Sequence, residues 1–292
     1  MTERARQSQY GLDRTPVLMV VHAHPDDESS QTGGTLARYA SAGCRTVLVT
    51  CTDGAQGDAV GGGSKPGEDG HDPRRVAQHR SMELDAAAGA LGVVDLVKLG
   101  YPDSGMFTGG GHVTADSFSA LPLLPMVQQM VRLLRVYQPD VVITYPPNGL
   151  SGHPDHIRTH ELVVAAHANV VANGEPDGRV PRLYYIAMSA SRLREVQDGV
   201  RAAFGDEVWV PPDELGIDDD EITTVIDVAP FWTAKTAALA AHASQADAAL
   251  LLRLFAIADR LVKPVVRVEE YRRAYPPVES PAGLVERDFF GA

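Results

Sequence analysis

Two cysteines in 292 residues, Cys44 and Cys51, are too few to staple a fold, and both lie in or beside a run that reads as a buried strand. A chain of this length buries enough apolar surface to be stable without disulfides, so the scarcity points to a reducing compartment. Basic residues are also short: 26 lysines and arginines against 38 aspartates and glutamates leave a net charge of −12. That balance repels phosphate backbones and argues against nucleic acid as a partner. No stretch approaches the roughly 18 apolar residues of a membrane span, and residues 1–10 lack the apolar segment of a secretion signal. The expectation is a soluble, cytoplasmic protein. Also missing is a Gly-x-Gly-x-x-Gly turn after the first predicted strand, where carboxylates stand instead and would repel a pyrophosphate.

What the chain does have is alternation. Residues 17–21 are a short apolar run of β-branched character, the pattern of a strand covered on both faces. A helix-compatible stretch at 29–42, closed by Gly43 where a helix C′ glycine would sit, leads into a strand-like run at 46–51. The pattern repeats with a helix over 74–91, a strand over 95–99, a helix over 121–137 and an apolar run at 141–145. A further helix is predicted from Pro154 to about residue 172, then a turn-rich connection over 173–181 and a strand over 183–188. Strands alternating with helices predict an α/β protein with a Rossmann-like, doubly wound, mostly parallel sheet. Glycine-rich segments at 54–71 and 100–118 follow predicted strands, which puts them at the carboxyl edge where such sheets bind ligands. The remainder, with a helix predicted over 233–261 and an acidic run at 218–221, is expected to form a smaller C-terminal capping region. Residue 190 is taken as a soft boundary between a catalytic core, 1–190, and that cap, 191–292. The acidic run lacks the glycine and distal glutamate of a calcium loop and reads as a solvated turn.

Two clusters carry chemistry. His24, Asp26, Asp27 and Glu28 place an imidazole and three carboxylates in five residues at a strand end. Hydrolytic zinc sites use three nitrogen or oxygen ligands plus water, and one short loop supplies two of the three. Pro25 stiffens the turn, so that the adjacent aspartates face differently: one for a metal, the other free to take a proton from water. Read alone, the cluster equally suits an acidic helix N-terminus. The second cluster, residues 152–156 (Gly-His-Pro-Asp-His), repeats the proline-stiffened turn after another predicted parallel strand. With Pro154 at the first helical position, His153 and His156 point differently, one to ligate and one to meet substrate. Asp155 is placed to hydrogen-bond the far nitrogen of an imidazole. His22, His160 and His167 read as structural.

Ala-His-Pro-Asp-Asp-Glu at 23–28, paired with the motif at 152–156, resembles the LmbE-like, or GlcNAc-phosphatidylinositol de-N-acetylase (PIG-L), superfamily. Within it, residues 21–29, 50–58 and 103–106 are most similar to the mycothiol deacetylase and the mycothiol S-conjugate amidase. A weaker echo lies at Lys235 and at residues 241–245, Ala-His-Ala-Ser-Gln. The resemblance implies a metal centre ligated by His24, Asp27 and His156, with zinc as the ion and ferrous iron also accepted by such ligands. It implies Asp26 as general base, His153 as the group that stabilises or protonates the tetrahedral intermediate, and Asp58, Arg80 and Asp103 as substrate-binding. The function it implies is a zinc-dependent N-deacetylase acting on an N-acetylglucosamine-type or related small molecule. The alternative within enzymes is a conjugate-amidase-like hydrolase, and outside them a non-catalytic or nucleotide-binding Rossmann-like protein. A homo-oligomer is compatible with all of these. One departure stands out: the deacetylase pattern has a tyrosine two residues before the first histidine of the second motif, and this chain has Ser151. Tyr145, Asn148 and Tyr101 are the candidates to fill that place.

Overall fold

Strand β1 (Val17–His22) is buried along its whole length. In the computed structural model, Leu18 and Val20 pack into one apolar core, and Val17, Met19 and Val21 into a second on the opposite face. A strand apolar on both sides needs helices on both sides. The structure describes residues 14–59, 64–106, 115–174, 179–205, 210–258, 267–278 and 285–291. The reading of residues 1–10 and parts of the predicted glycine-rich segments (60–63 and 107–114) and of the 173–181 connection (175–178) lie outside the described residues.

The helices before the first crossover are α1 (Asp27–Gln31) and α2 (Gly33–Ser41), leading into β2 (Arg45–Thr52). Then come α3 (Pro73–Leu91), β3 (Asp95–Tyr101), α4 (Leu123–Tyr137) and β4 (Val141–Thr144). A turn of helix α5 (Gly149–Gly152) precedes α6 (Pro154–Asn173), β5 (Arg182–Ala187) and α7 (Ala190–Phe204). Strand β6 (Thr224–Asp227), α8 (Trp232–Ala241), α9 (Ala246–Ala258) and β7 (Val268–Tyr275) complete the order. The sheet runs β3-β2-β1-β4-β5-β7-β6. The first five strands are parallel, while β7 pairs antiparallel with both β5 and β6. Leu36, Tyr39, Ala87, Leu91 and Ala238, from α2, α3 and α8, cover one face. Met126, Met130, Leu134, Leu162, Ala166 and Val170, from α4 and α6, cover the other.

Because β1 lies between β2 and β4, successive crossovers leave it in opposite directions, and a crevice opens at the carboxyl ends of β1 and β4. The turn after β1 carries His24, and the segment after β4 carries His153 and His156. The region after residue 190 adds its two strands to this same sheet, with β7 in register against β5 from Leu183↔Tyr275 to Ala187↔Glu270. The outer side of β6 meets the chain once more: Val225 N donates to Glu286 O and Glu286 N to Thr223 O.

Two helices predicted as continuous are broken. The expected helix over 29–42 starts earlier and divides at Thr32 (φ −131°, ψ 10°), whose hydroxyl hydrogen-bonds His22 Nε2 at 2.8 Å in the interior. Gly34 follows because a Cβ there would lie 2.4 Å from Val228 Cβ. The helix expected over 233–261 is two, α8 and α9, separated at residues 242–245, of which His242, Ser244 and Gln245 turn inward to other elements; residues 259–261 lie outside the described residues.

Lys235, on α8, is the pin between the late region and the start of the chain. Buried to 4% exposure, it donates to Glu269 Oε1 at 2.5 Å and to Ser30 O at 2.8 Å. Glu269 in turn accepts the first N–H groups of α2, from Gly34 (3.0 Å) and Thr35 (2.8 Å). Removing one partner of such a pair leaves a buried charge uncompensated. Lys235→Met is therefore expected to destabilise the fold by about 3–5 kcal/mol, read as a fall in the denaturant midpoint at unchanged m; an unshifted midpoint would reject the pin.

Candidate functional site

Three atoms from the two turns form a nearly equilateral triangle. His24 Nδ1 lies 3.3 Å from Asp27 Oδ2, His156 Nε2 lies 3.4 Å from the same oxygen, and the two nitrogens are 3.3 Å apart. All three residues are buried, at 6–7% exposure. Ligands about 2.05 Å from a tetrahedral centre stand about 3.3–3.4 Å apart, so the spacing is that of three corners around a small divalent cation.

Hydrogen bonds to the far side of each ring say where the protons are. His156 Nδ1 faces Gly149 O at 3.0 Å, and a carbonyl only accepts, so Nδ1 carries the hydrogen and Nε2 presents a lone pair. His24 Nε2 faces Asp155 Oδ2 (3.3 Å) and Asp103 Oδ1 (3.6 Å), both acceptors, so in the neutral ring Nε2 carries the hydrogen and Nδ1 the lone pair. The surrounding carboxylates favour positive charge at this point: burial opposes charge on His24, but Asp103, Asp155 and Asp27 outweigh it and hold the imidazole well above its usual range, a proton that a bound cation would displace. Burial likewise opposes charge on Asp27, and His156 and His24 hold its carboxyl well below the ordinary value. His24, Asp103 and Asp155 also bring one ligand-type atom each within 4.8 Å of one another. That second grouping uses the protonated nitrogen of His24, which makes it a hydrogen-bonded support for the first.

The local fold fixes each member. His24 N donates to Asp27 Oδ2 at 2.9 Å, closing the turn after β1, and Gln31 Nε2 donates to Asp27 Oδ1 at 3.0 Å. Tyr145, buried directly after β4, donates its hydroxyl to Asp27 Oδ2 (2.7 Å), accepts from Ala23 N (2.9 Å), and stacks its ring on His156 with centroids 4.1 Å apart. Burial and then Asp27 push the Tyr145 phenol well above its usual range, so it stays a donor. Gly149 is required by the backbone approach: at φ 64°, a Cβ would lie 2.8 Å from His156 Cβ and 2.9 Å from Ile157 N.

Asp26 stands beside the triangle without belonging to it. Its backbone is left-handed (φ 100°, ψ −27°), and its carboxylate, a quarter exposed, accepts from Arg80 at 2.8 Å. Burial raises its carboxyl to about 6, with Arg80 pulling the other way. His153 Nδ1 accepts from Asp155 N at 3.1 Å, leaving Nε2 as the N–H. A ring nitrogen of His153 lies within 4.8 Å of one on each of His24 and His156. Burial, then His24 and His156, bring its imidazole down to about 3, so what it offers is a neutral N–H.

The three predicted substrate residues separate in the structure. Asp103, 7% exposed, accepts from Gly105 N and Gln56 N and backs His24; the His24 charge holds its carboxyl well below the usual range against the effect of burial. Arg80, 4% exposed, donates to Pro25 O, Gly54 O and Asp26, tying the two loops together. Asp58 is partly exposed, and its Oδ2 accepts from Ala246 N at 3.0 Å. Of the three groups considered for the missing tyrosine, the two phenols donate elsewhere and Asn148 uses its side-chain oxygen. Tyr145 is engaged with Asp27, the Tyr101 hydroxyl donates to Gln129, and Asn148 Oδ1 caps Leu150 N. Reading along the sequence also missed the buried Glu28–His242 contact at 2.7 Å, for which the 241–245 segment was the available signal.

Residues 19–167 match the family model PIG-L, GlcNAc-PI de-N-acetylase. The chain is 36% identical over 288 residues to a 1D-myo-inositol 2-acetamido-2-deoxy-alpha-D-glucopyranoside deacetylase of Rhodococcus erythropolis, covering 94% of this chain and 96% of that protein. To the protein of the same name from Actinosynnema mirum it is 36% identical over 294 residues, covering 96% and 98%. Among solved structures, the fold is similar to N,N'-diacetylchitobiose deacetylase from Pyrococcus horikoshii (TM-score 0.59, 19% identity, 92% and 90% covered). It is equally similar to the 4-carboxy-2-hydroxymuconate hydratase GalB from Pseudomonas putida (TM-score 0.59, 20% identity, 91% and 99% covered). The same architecture thus hosts a different reaction, and the fold alone does not select one.

Proposed function

The chain belongs to the PIG-L family of GlcNAc-PI de-N-acetylases, and from that premise we propose that it is a zinc-dependent N-deacetylase of an N-acetylglucosamine-type small molecule, such as an N-acetylglucosaminyl inositol. The observation that carries the proposal is the triangle of ligand-type atoms, His24 Nδ1, Asp27 Oδ2 and His156 Nε2, with sides of 3.3–3.4 Å beside a carboxylate that is not part of it. Those three atoms would hold the ion. Zinc bound there supplies Lewis acidity toward an amide carbonyl and makes water a better nucleophile at neutral pH.

The chain's own groups then divide the proton work. Asp26, with its carboxyl near 6, is ionised at pH 7 and takes the proton of the attacking water at a carboxylate oxygen. His153 donates its Nε2–H to the carbonyl oxygen as negative charge develops there. Asp26 returns its proton to the departing amine nitrogen, giving acetate and a free amino sugar. Asp155 and Asp103 keep Nε2 of His24 protonated, so that Nδ1 stays a lone-pair donor. Asp58 and Arg80 line the neighbouring loops, where hydroxyl groups of a sugar would be met. Cys44 and Cys51 are buried and not joined in a disulfide, which suits a reducing cytoplasm. Among the described residues no helix is long and apolar enough to cross a membrane.

The test joins metal analysis of the purified protein to amine release from an N-acetylglucosaminyl inositol and from a cysteinyl glucosamine amide. About one equivalent of metal, with chelator-sensitive release from the acetylated substrate, is the expected result. Preference for the cysteinyl amide would shift the assignment to an amidase, and a metal-free protein would overturn it. Tyr145→Phe removes the hydroxyl that orients Asp27. It is expected to weaken metal affinity about tenfold to a hundredfold, measured by competition with a chromophoric chelator; unchanged affinity would discard that role.

A further inference from the structure

The turn that carries Asp26 is held from outside the stretch matched by the family model, residues 19–167. Glu28 is fully buried and divides its carboxylate between two partners: Oε2 accepts the N–H of Asp26 at 3.0 Å, and Oε1 meets His242 Nε2 at 2.7 Å. Ser29 Oγ also donates to Oε1 at 2.5 Å. His242 is itself fully buried, and its Nδ1 has no partner among the described residues, so the ring is anchored through Nε2 alone. It sits in the break between α8 and α9. There Ser244 donates to Glu83 of α3 through N (2.8 Å) and Oγ (2.7 Å), and Gln245 Oε1 accepts from Asp58 N at 3.2 Å. The break therefore has a purpose that helix continuity would forbid: it turns His242 inward onto Glu28.

Residue 26 needs that support. A left-handed φ of 100° is unfavourable for any residue but glycine, and least so for aspartate or asparagine; it persists where the surroundings impose it. The contacts that impose it are the Arg80 bond to the Asp26 carboxylate and the Glu28 bond to the Asp26 N–H. The second of these depends on a carboxylate whose other oxygen is held by Ser29 Oγ from the same turn and, from outside it, by His242.

We propose that His242 is a positioning residue for Asp26: by donating from Nε2 to Glu28 it fixes the carboxylate whose other oxygen holds the Asp26 N–H, and so sets the direction of the Asp26 side chain. This rests on Asp26 acting as the base of the proposed reaction. The rival account is that His242 only pins the α8–α9 segment to the interior.

The two accounts separate in His242→Leu and His242→Gln, the second of which keeps a side-chain N–H donor. The measurements are hydrogen exchange at the Asp26 amide by NMR, kcat and KM for amine release, and metal content. In H242L the Asp26 amide is expected to exchange about tenfold faster or more. Its kcat is expected to fall about tenfold to a hundredfold at nearly unchanged KM and metal content. H242Q should stay close to the parent in both. An Asp26 amide as protected in H242L as in the parent, or a loss that glutamine does not restore, overturns the proposal. Should H242L not fold, Glu28→Gln reads the same link: faster exchange at residue 26 supports it and unchanged exchange overturns it. The exchange measurement needs no substrate, so a parent protein without turnover would count against the deacetylase reading and leave this link readable.

Discussion

Asp26→Asn is expected to lower kcat by about two to four orders of magnitude while the protein keeps its full complement of metal. The argument begins with what Asp26 does not do: its oxygens are not among the three atoms of the triangle, which come from His24, Asp27 and His156. Its carboxyl is raised to about 6 by burial against the pull of Arg80, so near pH 7 it is ionised yet still basic enough to hold a proton in transit. Asparagine keeps the size of the side chain and tolerates the left-handed backbone at φ 100°, but cannot take that proton. Alanine would remove the base as well, at a further cost in backbone strain. Metal analysis beside amine release decides it: substantial turnover in the asparagine variant would sink the assignment of Asp26, and metal loss would make it a ligand.

The second large effect is expected of His24→Ala, which should lose metal and turnover together and lower the melting temperature. His24 provides one corner of the triangle through Nδ1 and faces Asp155 and Asp103 through Nε2. Deleting it leaves Asp27, Asp103 and Asp155, each less than 10% exposed, without the imidazole that separates them. Buried like charges repel strongly when their counter-charge is gone. Equilibrium dialysis, thermal unfolding and amine release are the measurements. Parent-like metal affinity in this variant would move the centre elsewhere, and the proposed function with it.

The difference between these two variants follows from features that are local in sequence. A strand, a proline-stiffened turn and a helix start occur twice, and each turn delivers its polar residues to one sheet edge. That is why the β1 and β4 turns, and the alternation that brings them together, could be read from spacing. What spacing does not carry is a partner supplied from far away. Thr32 interrupts a helix because His22 and the packed Gly33–Gly34 start of α2 outweigh the helical preference of its neighbours. Residues 242–245 interrupt another because Glu28 and Glu83, 214 and 161 positions earlier, take their polar groups. Tyr145 could be suspected of facing the site, but only its geometry shows that the hydroxyl serves Asp27 and is not free for substrate. Arg80 reads from sequence as a ligand for hydroxyl groups, and its bonds to Pro25, Gly54 and Asp26 show that it braces the turn that carries Asp26.

The sheet's outermost strand has a consequence for how molecules of this protein behave when crowded. An open edge of N–H and C=O groups is a template onto which another chain adds a strand, and from which aggregates grow. Strand β6 is only four residues long, and on its outer side Val225 N and Thr223 O are already taken up by the backbone of Glu286. The Glu286 side chain holds that return stretch in place, accepting from Thr224 Oγ1 at 2.6 Å and from Arg273 at 2.7 Å. The chain thus covers the start of its own edge, and copies meeting along that side find a shorter stretch to zip against.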